Sequence, residues 1–166
     1  VAPPNTTGGT ARVSFTHFDK PHTGLPDYTL ATAGSQNVIT SFEYDGFGRI
    51  TKKWMPKANS SRTIATDGTL NGTATGPYST TWAYYEAGVS ATPPATCGGT
   101  ARTQRGLLQS LTPSGITATS SVVDLFGRPV AVTNGAGTLC RVYDAEGRLT
   151  SDKAAGEAAS TTYTYD

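Results

Sequence analysis

Three aspartates in this sequence share a spacing that suggests either catalysis or a tight turn. Asp45, Asp124 and Asp144 each precede a glycine by three residues and an arginine by four. Paired carboxylates can act as general acid and base. An aspartate at fixed spacing before a glycine also favours a turn, because its carboxylate accepts backbone N–H bonds while the glycine takes a left-handed conformation. One turn mechanism explains all three aspartates, so we predict a structural role for them.

Histidine and cysteine are the other residue types that could support chemistry. His17 and His22 flank Asp19, but a spacing of five with a proline between suits neither one helix face nor alternate strand positions. We therefore predict a solvated loop there, and neither a metal nor another cofactor. Cys97 lacks a recognisable catalytic signature around it. Because no motif places a nucleophile, a base and an orienting group together, we predict that the protein is not an enzyme.

The two cysteines, Cys97 and Cys140, leave two possibilities open. They can pair in one disulfide, or remain buried thiols in a chain long enough to fold without a crosslink.

Four aromatic residues form a candidate sugar-binding platform: Trp54, Trp82, Tyr84 and Tyr85. Aromatic faces stack on the apolar faces of pyranose rings, so exposed rings would indicate a glycan site. Buried rings would instead belong to the core. We favour the core assignment.

The composition indicates an all-β protein with little or no helix. Only 15% of the 166 residues are charged, below the roughly 25% of typical soluble domains, and there are 19 Gly and 10 Pro to make reversals between short strands. A net charge of +1 gives no broad attraction for phosphates, so nucleic acid is not an expected partner. The chain also contains no apolar run of the roughly 18 residues that a membrane span needs.

Internal repeats organise the chain at two scales. The short pattern is Tyr-Asp-x-x-Gly-Arg in a register of about 20 residues. We expect weakened copies at Thr66-Asp67-Gly68 and at Tyr84-Tyr85-Glu86-Ala87-Gly88. Its clear members are Tyr44, Asp45, Gly48 and Arg49; Asp124, Gly127 and Arg128; Tyr143, Asp144, Gly147 and Arg148; and the terminal Tyr165 and Asp166.

The longer repeat relates the two halves of the chain. Residues 3–12 match residues 93–102 at eight of ten positions, which pairs Cys97 with Thr7. The sequence therefore predicts one array, residues 1–166, made of approximate superrepeats 1–90 and 91–166, of which the second is incomplete.

The cleanest unit, from Arg128 to Arg148, predicts the local structure. We expect strands over residues 128–133 and 138–143, joined by a type I′ turn at Asn134-Gly135, where both residues tolerate positive φ. The arginine after the motif glycine is expected either to pair with the aspartate or to lie over the tyrosine ring of an adjacent unit. Repetition of such units predicts an antiparallel hairpin meander.

These motifs resemble the YD-repeat, or Rhs-repeat, family, which includes bacterial Rhs toxins, insecticidal toxin-complex subunits and teneurins. The resemblance implies a spiralling β-sheet that forms part of a hollow shell. It implies a structural segment of a secreted or surface-exposed bacterial protein, which encloses a C-terminal toxin or builds a fibre. Carbohydrate binding and cell-surface or matrix contact are the alternative that it implies.

The same resemblance suggests the partners. They are the remainder of a longer chain or identical copies, with glycans or an encapsulated toxin domain as further candidates. The Asp-Pro-x-Gly core segment that ends such shells is absent from the sequence, which stops in mid-motif at Tyr165-Asp166. We therefore expect this chain to be part of a longer array.

Overall fold

The computed structural model describes residues 13–18, 24–33 and 36–166. These residues form an almost entirely β structure, which confirms the predicted fold class. Two short 3₁₀ helices, Pro56–Asn59 and Ala95–Cys97, interrupt the strands. The strands are β1 (Ser14–Phe18), β2 (Pro26–Ala33), β3 (Gln36–Tyr44), β4 (Ile50–Trp54), β5 (Thr63–Ile64), β6 (Leu70–Asn71), β7 (Ser79–Tyr84), β8 (Ser90–Ala91), β9 (Arg102–Thr103), β10 (Leu108–Pro113), β11 (Thr119–Val123), β12 (Pro129–Asn134), β13 (Gly137–Tyr143), β14 (Leu149–Lys153) and β15 (Thr161–Thr162).

The main sheet is an antiparallel meander of 11 strands in the order β1-β2-β3-β4-β7-β10-β11-β12-β13-β14-β15. The remaining strands form two small hairpins, β5-β6 and β8-β9, inserted between successive strands of the meander. The chain divides into two compact units, residues 1–81 and 82–166.

The core of the first unit lies on one face of β2 and β3. Tyr28 and Leu30 are two positions apart in β2, and therefore point to the same face, where Leu30 is paired with Ile39 of β3. Ile64 and Leu70, at the adjoining positions of the β5-β6 hairpin, pack against this cluster. The inserted hairpin thus covers apolar side chains that the sheet alone would leave in water.

The core of the second unit is built around a disulfide. Ala131 of β12 is paired with Cys140 of β13, and both are buried together with Cys97 of the second 3₁₀ helix. Cys97 and Cys140 form a disulfide, with their Cα atoms 4.8 Å apart. Of the two possibilities that the sequence left open, the structure therefore contains the disulfide. It joins β13 of the sheet to the segment between β7 and β10, which carries the β8-β9 hairpin and the second 3₁₀ helix and which we call the second insertion.

The β12-β13 hairpin differs in detail from the predicted turn. Asn134 belongs to the strand and pairs with Gly137, so the two-residue connection is Gly135-Ala136. Positive φ occurs at Gly137 (124°) and at neither residue of the connection, so the type I′ turn is not formed. The Asn134 side chain accepts a hydrogen bond from the N–H of Ala136 at 2.9 Å, which stabilises a reversal one residue later than predicted.

Candidate functional site

The repeated motif forms a closed turn of five residues, in which the aspartate makes hydrogen bonds through both its backbone and its carboxylate. At Asp124, the backbone N–H bonds to the carbonyl oxygen of Arg128 at 2.9 Å, and the carbonyl accepts from Gly127 N–H at 3.1 Å. The carboxylate Oδ1 accepts the N–H groups of Phe126 and Arg128 at 2.9 and 3.0 Å. Its Oδ2 accepts from Arg128 Nε at 2.8 Å. Gly127 sits at φ 81°, in the left-handed region that other residues avoid.

The other two clear copies repeat this arrangement. The aspartate N–H bonds to the arginine carbonyl oxygen at 3.0 Å in both the Asp45 and Asp144 turns. The arginine Nε donates to aspartate Oδ2 at 2.7 and 2.8 Å, respectively. The motif glycines, Gly48 and Gly147, have φ angles of 79° and 87°. A break in strand register immediately precedes each of the three turns, so the same local twist leads into each one.

The electrostatics of these carboxylates suit a structural role. Partial burial raises the pKa of Asp124, but hydrogen bonds from Arg128 and Phe126 outweigh burial and hold the pKa below its usual value. The same balance lowers the pKa of Asp45 and of Asp144. Each carboxylate is therefore ionised at neutral pH, with both oxygens engaged in the turn, and is poorly suited to donate a proton.

The motif arginines also link one turn to the next. The guanidinium carbon of Arg128 lies 4.2 Å from the ring centre of Tyr143, and Arg128 Nη1 donates to the carbonyl oxygen of Gly147 at 2.7 Å. Arg148 lies over Tyr165 in the same way, at 4.8 Å. At Arg128 and Arg148, the two alternatives proposed for the arginine, an ion pair within the turn and stacking on the next tyrosine, therefore occur together.

The motif tyrosines complete these links through their hydroxyl groups. Tyr165 donates to the carbonyl oxygen of Leu149 at 2.7 Å, and Tyr44 donates to that of Pro26 at 2.8 Å. Leu149 directly follows a motif arginine, so the tyrosine bonds to the start of the strand that leaves the preceding turn. Asp166 is exposed.

The first weakened repeat forms a turn like that of the motif, but the turn lies two residues earlier than predicted. Ala65 N–H bonds to the Thr69 carbonyl oxygen at 2.9 Å, and Gly68 takes a φ of 89°. Ala65 therefore occupies the aspartate position, 20 residues after Asp45. Asp67 instead accepts from Thr69 N–H at 2.9 Å. Matching aspartate to aspartate in the sequence shifted the alignment by two residues.

The second weakened repeat, Tyr84-Tyr85-Glu86-Ala87-Gly88, is interrupted by the second insertion. Tyr85 N–H bonds to the carbonyl oxygen of Leu107 at 3.0 Å, rather than to a residue four positions later. Gln104, fully buried, secures the insertion by accepting from Val123 N–H at 3.0 Å and donating to the Val123 carbonyl oxygen at 3.2 Å. Sequence reasoning missed Gln104, since nothing adjacent to it marks it as a buried residue.

The aromatic candidates lie in two separate settings. Tyr85 is buried, and its hydroxyl donates to the Ser121 carbonyl oxygen at 3.0 Å, as the core assignment predicts. Trp82 and Tyr84 are half-buried at the end of β7, in the part of that strand that belongs to the second unit. Trp54, in the first unit, is also half-buried and lines a cavity.

That cavity, of about 420 Å³, brings together charged and aromatic groups of the first unit. Glu43 accepts from Trp54 Nε1 at 2.5 Å, while Arg62 Nη1 donates to Ser41 Oγ at 3.1 Å. Burial lowers the pKa of Arg62, and the charges of Asp27 and Glu43 oppose that effect. Sequence reasoning missed Arg62, whose bond to Ser41 joins residues 21 positions apart and depends on tertiary packing.

The prediction of a solvated loop is wrong at His17, which lies in a strand. His17 is half-buried in β1, and its Nδ1 lies 2.9 Å from Asp27 Oδ1 on the paired strand β2. The alternation of Val13, Phe15 and His17 was the sequence signal for this strand. Asp19 and His22 lie outside the described residues, as does the repeat segment 3–12.

Comparison with protein families places the chain in one of them. Residues 3–103 match the model of a family described as a domain of unknown function, DUF6443. The chain belongs to this family. The DUF6443 match includes the Asp45 turn, the first-unit cavity and most of the second insertion, whereas the Asp124 and Asp144 turns follow it. No curated protein matches the chain.

The described residues also bear on metal binding and on membrane insertion. Among the described residues of this DUF6443 chain, no three His, Cys, Asp or Glu side chains are grouped closely enough to hold a metal ion. Within the same residues, no helix has the length and apolar character to cross a membrane.

Proposed function

We propose that this chain is a structural segment of a YD-repeat array, in which repeated turns build the wall of a β-shell or fibre. The observation that supports this proposal is the recurrence of one turn at Asp45, Asp124 and Asp144, with the same aspartate, glycine and arginine contacts. Three independent catalytic or ligand sites would not require the same internal hydrogen bonds.

The contacts between successive turns support the same function. Arg128 is bound to its own aspartate and also to the ring of Tyr143 and the backbone of Gly147 in the next turn. The Asp124 and Asp144 turns thus stabilise each other, as in repeat proteins whose stability depends on nearest-neighbour interfaces. Such coupling suits an extended wall that encloses a toxin domain or forms a surface fibre.

The disulfide supports a secreted or bacterial surface location. Disulfides form and persist in the periplasm and outside the cell and are rare in the reducing cytosol. The Cys97–Cys140 crosslink is buried in the second-unit core, where it joins the inserted 3₁₀ helix to β13.

The test is to determine the gene sequence on both sides of this chain, and to image the purified parent polypeptide by cryo-electron microscopy. We expect Tyr-Asp-x-x-Gly-Arg units to continue into a curved sheet. Continuation toward a distinct enclosed domain would identify a shell, and repetition of the superrepeat alone would identify a fibre. A freestanding 166-residue product with no neighbouring repeats would contradict the proposal.

A second candidate function is glycan binding, favoured by the cavity beside Trp54. Its lining combines this indole with the carboxylates of Asp27 and Glu43 and the guanidinium of Arg62. An aromatic face can stack on a sugar ring while charged groups bond to its hydroxyls.

A glycan array probed with the wild-type chain, Trp54→Phe and Trp82→Phe tests this function. Trp82 is the matched control, because it does not line this cavity. Loss of signal confined to Trp54→Phe would support glycan binding at the cavity. Absence of any wild-type signal, or equal loss in both variants, would contradict it.

A further inference from the structure

A second cavity, of about 180 Å³, lies in the second unit and is unusually rich in arginine. Arg102, Arg128 and Arg141 line it, together with one carboxylate, that of Asp124. With Asp152, which pairs with Arg141 from outside the lining, these groups carry a formal excess of one positive charge. We call this space the Arg102 cavity.

Arg102 distinguishes the cavity from an ordinary ion-pair network. Arg128 is paired with Asp124 at 2.7 Å, and Arg141 with Asp152 at 3.3 Å. The Nε of Arg102 is buried and, among the residues that the structure describes, is without a hydrogen-bond partner. A buried donor without a partner is costly, particularly when it belongs to a charged group, so such groups normally find an acceptor.

The remaining lining favours an anion with a small apolar body. Asp124 does not act as a free negative charge, because its Oδ2 accepts from Arg128 and its Oδ1 accepts two backbone N–H groups. Val130, Val142 and Tyr143 add apolar surface. The volume lies below the roughly 300–1,000 Å³ typical of pockets for drug-sized ligands, which suggests a ligand no larger than a monosaccharide.

The segment that carries Arg102 is held in place from two sides. The Cys97–Cys140 disulfide joins the preceding 3₁₀ helix to β13. Two hydrogen bonds between Gln104 and Val123 secure the residues that follow. A guanidinium presented by a segment anchored in this way loses little conformational freedom on binding.

We propose that the Arg102 cavity binds a small oxyanion, either as an inorganic anion or as the carboxylate of an acidic monosaccharide. The planar guanidinium fork matches the geometry of carboxylate, sulfate and phosphate groups, and an oxyanion supplies the acceptor that Arg102 Nε requires. This proposal goes beyond the wall-building role, because the donor without a partner belongs to the second insertion, while the Asp124 turn supplies part of the lining.

Isothermal titration calorimetry of the whole chain with sulfate, phosphate, acetate and glucuronate tests the site, with glucose as the neutral control. We expect binding of at least one anion, no binding of glucose, and about ten- to hundredfold weaker binding in Arg102→Gln. The matched control is Arg105→Gln, which removes the same charge from an exposed residue outside the cavity lining. Tighter binding of glucuronate than of acetate would identify an acidic sugar, and preference for sulfate or phosphate an inorganic anion.

Two results would overturn the proposal. One is the absence of anion binding to the wild-type chain, and the other is equal weakening in Arg102→Gln and Arg105→Gln, which would indicate general charge attraction. Should Arg102→Gln fail to fold, the wild-type chain still decides the question by NMR. The Arg102 Nε–H resonance is expected to shift on titration with the best-binding anion, and an unchanged resonance would refute the site.

Discussion

Substitution of Gly147 by alanine should destabilise the chain more than the same change at Gly127. Both glycines close a motif turn with similar positive φ, 87° and 81°. An added Cβ at Gly147 would lie 2.7 Å from Arg128 Nη1, whereas an added Cβ at Gly127 would lie 4.0 Å from Leu107 Cδ1. Comparing the two variants therefore separates the free-energy cost of a left-handed alanine backbone from the free-energy cost of disturbing the contact between turns.

The magnitude follows from the contacts of Arg128. A left-handed alanine costs about 1–2 kcal/mol, and both variants share this cost. At Gly147, the guanidinium must also move from its 2.7 Å hydrogen bond to the Gly147 carbonyl oxygen and from its position over Tyr143. Because Arg128 is partly exposed and water replaces some of these contacts, we expect an additional loss of about 1–2 kcal/mol.

Urea unfolding at neutral pH, followed by far-ultraviolet circular dichroism, measures both variants. A double-mutant cycle with Arg128→Met then isolates the contact between turns. In that background, Gly147→Ala should cost no more than Gly127→Ala does in the wild-type chain, since the guanidinium is absent. Equal costs of the two alanine variants, or an excess at Gly147 that persists without Arg128, would refute the reasoning.

Three further predictions concern pH, the crosslink and one buried hydroxyl. Because the fold lowers the pKa of Asp124, the ionised carboxylate contributes stability above the unfolded-state pKa of about 3.9, and this stability is lost as pH falls through the folded-state pKa. Between pH 5 and pH 2, the unfolding free energy of Asp124→Asn should therefore fall less than that of wild type, as urea titrations would show. Replacing both Cys97 and Cys140 by serine removes a crosslink that spans 43 residues and should lower the unfolding free energy by about 3–4 kcal/mol, seen as a lower urea midpoint. Equal stability of oxidised and reduced wild type would argue against this prediction. Tyr85→Phe removes the hydrogen bond to the Ser121 carbonyl oxygen and should cost about 1 kcal/mol or more in unfolding free energy, whereas an unchanged midpoint would show that the bond is not needed.

The fold class and the motif turns were predictable because they depend on local chemistry. Each turn is closed by hydrogen bonds between residues at most four positions apart, so the spacing of aspartate, glycine and arginine is sufficient to define it. The same local reasoning failed by one residue at Asn134, where the choice between two adjacent reversals depends on strand pairing. It failed by two residues at Asp67, because Ala65 occupies the place that the motif aspartate takes in the other turns.

The residues that meet in the cavities and at the insertions depend on tertiary structure. His17 meets Asp27, Gln104 meets Val123 and Cys97 meets Cys140 across separations of 10, 19 and 43 residues. Such pairs form only when strand register and the packing of an inserted segment bring the backbones together. The sequence by itself therefore determined the repeating turn and the β-sheet that it implies. Tertiary packing determined which polar groups are buried together, because burial depends on the elements that cover them and not on their neighbours along the chain.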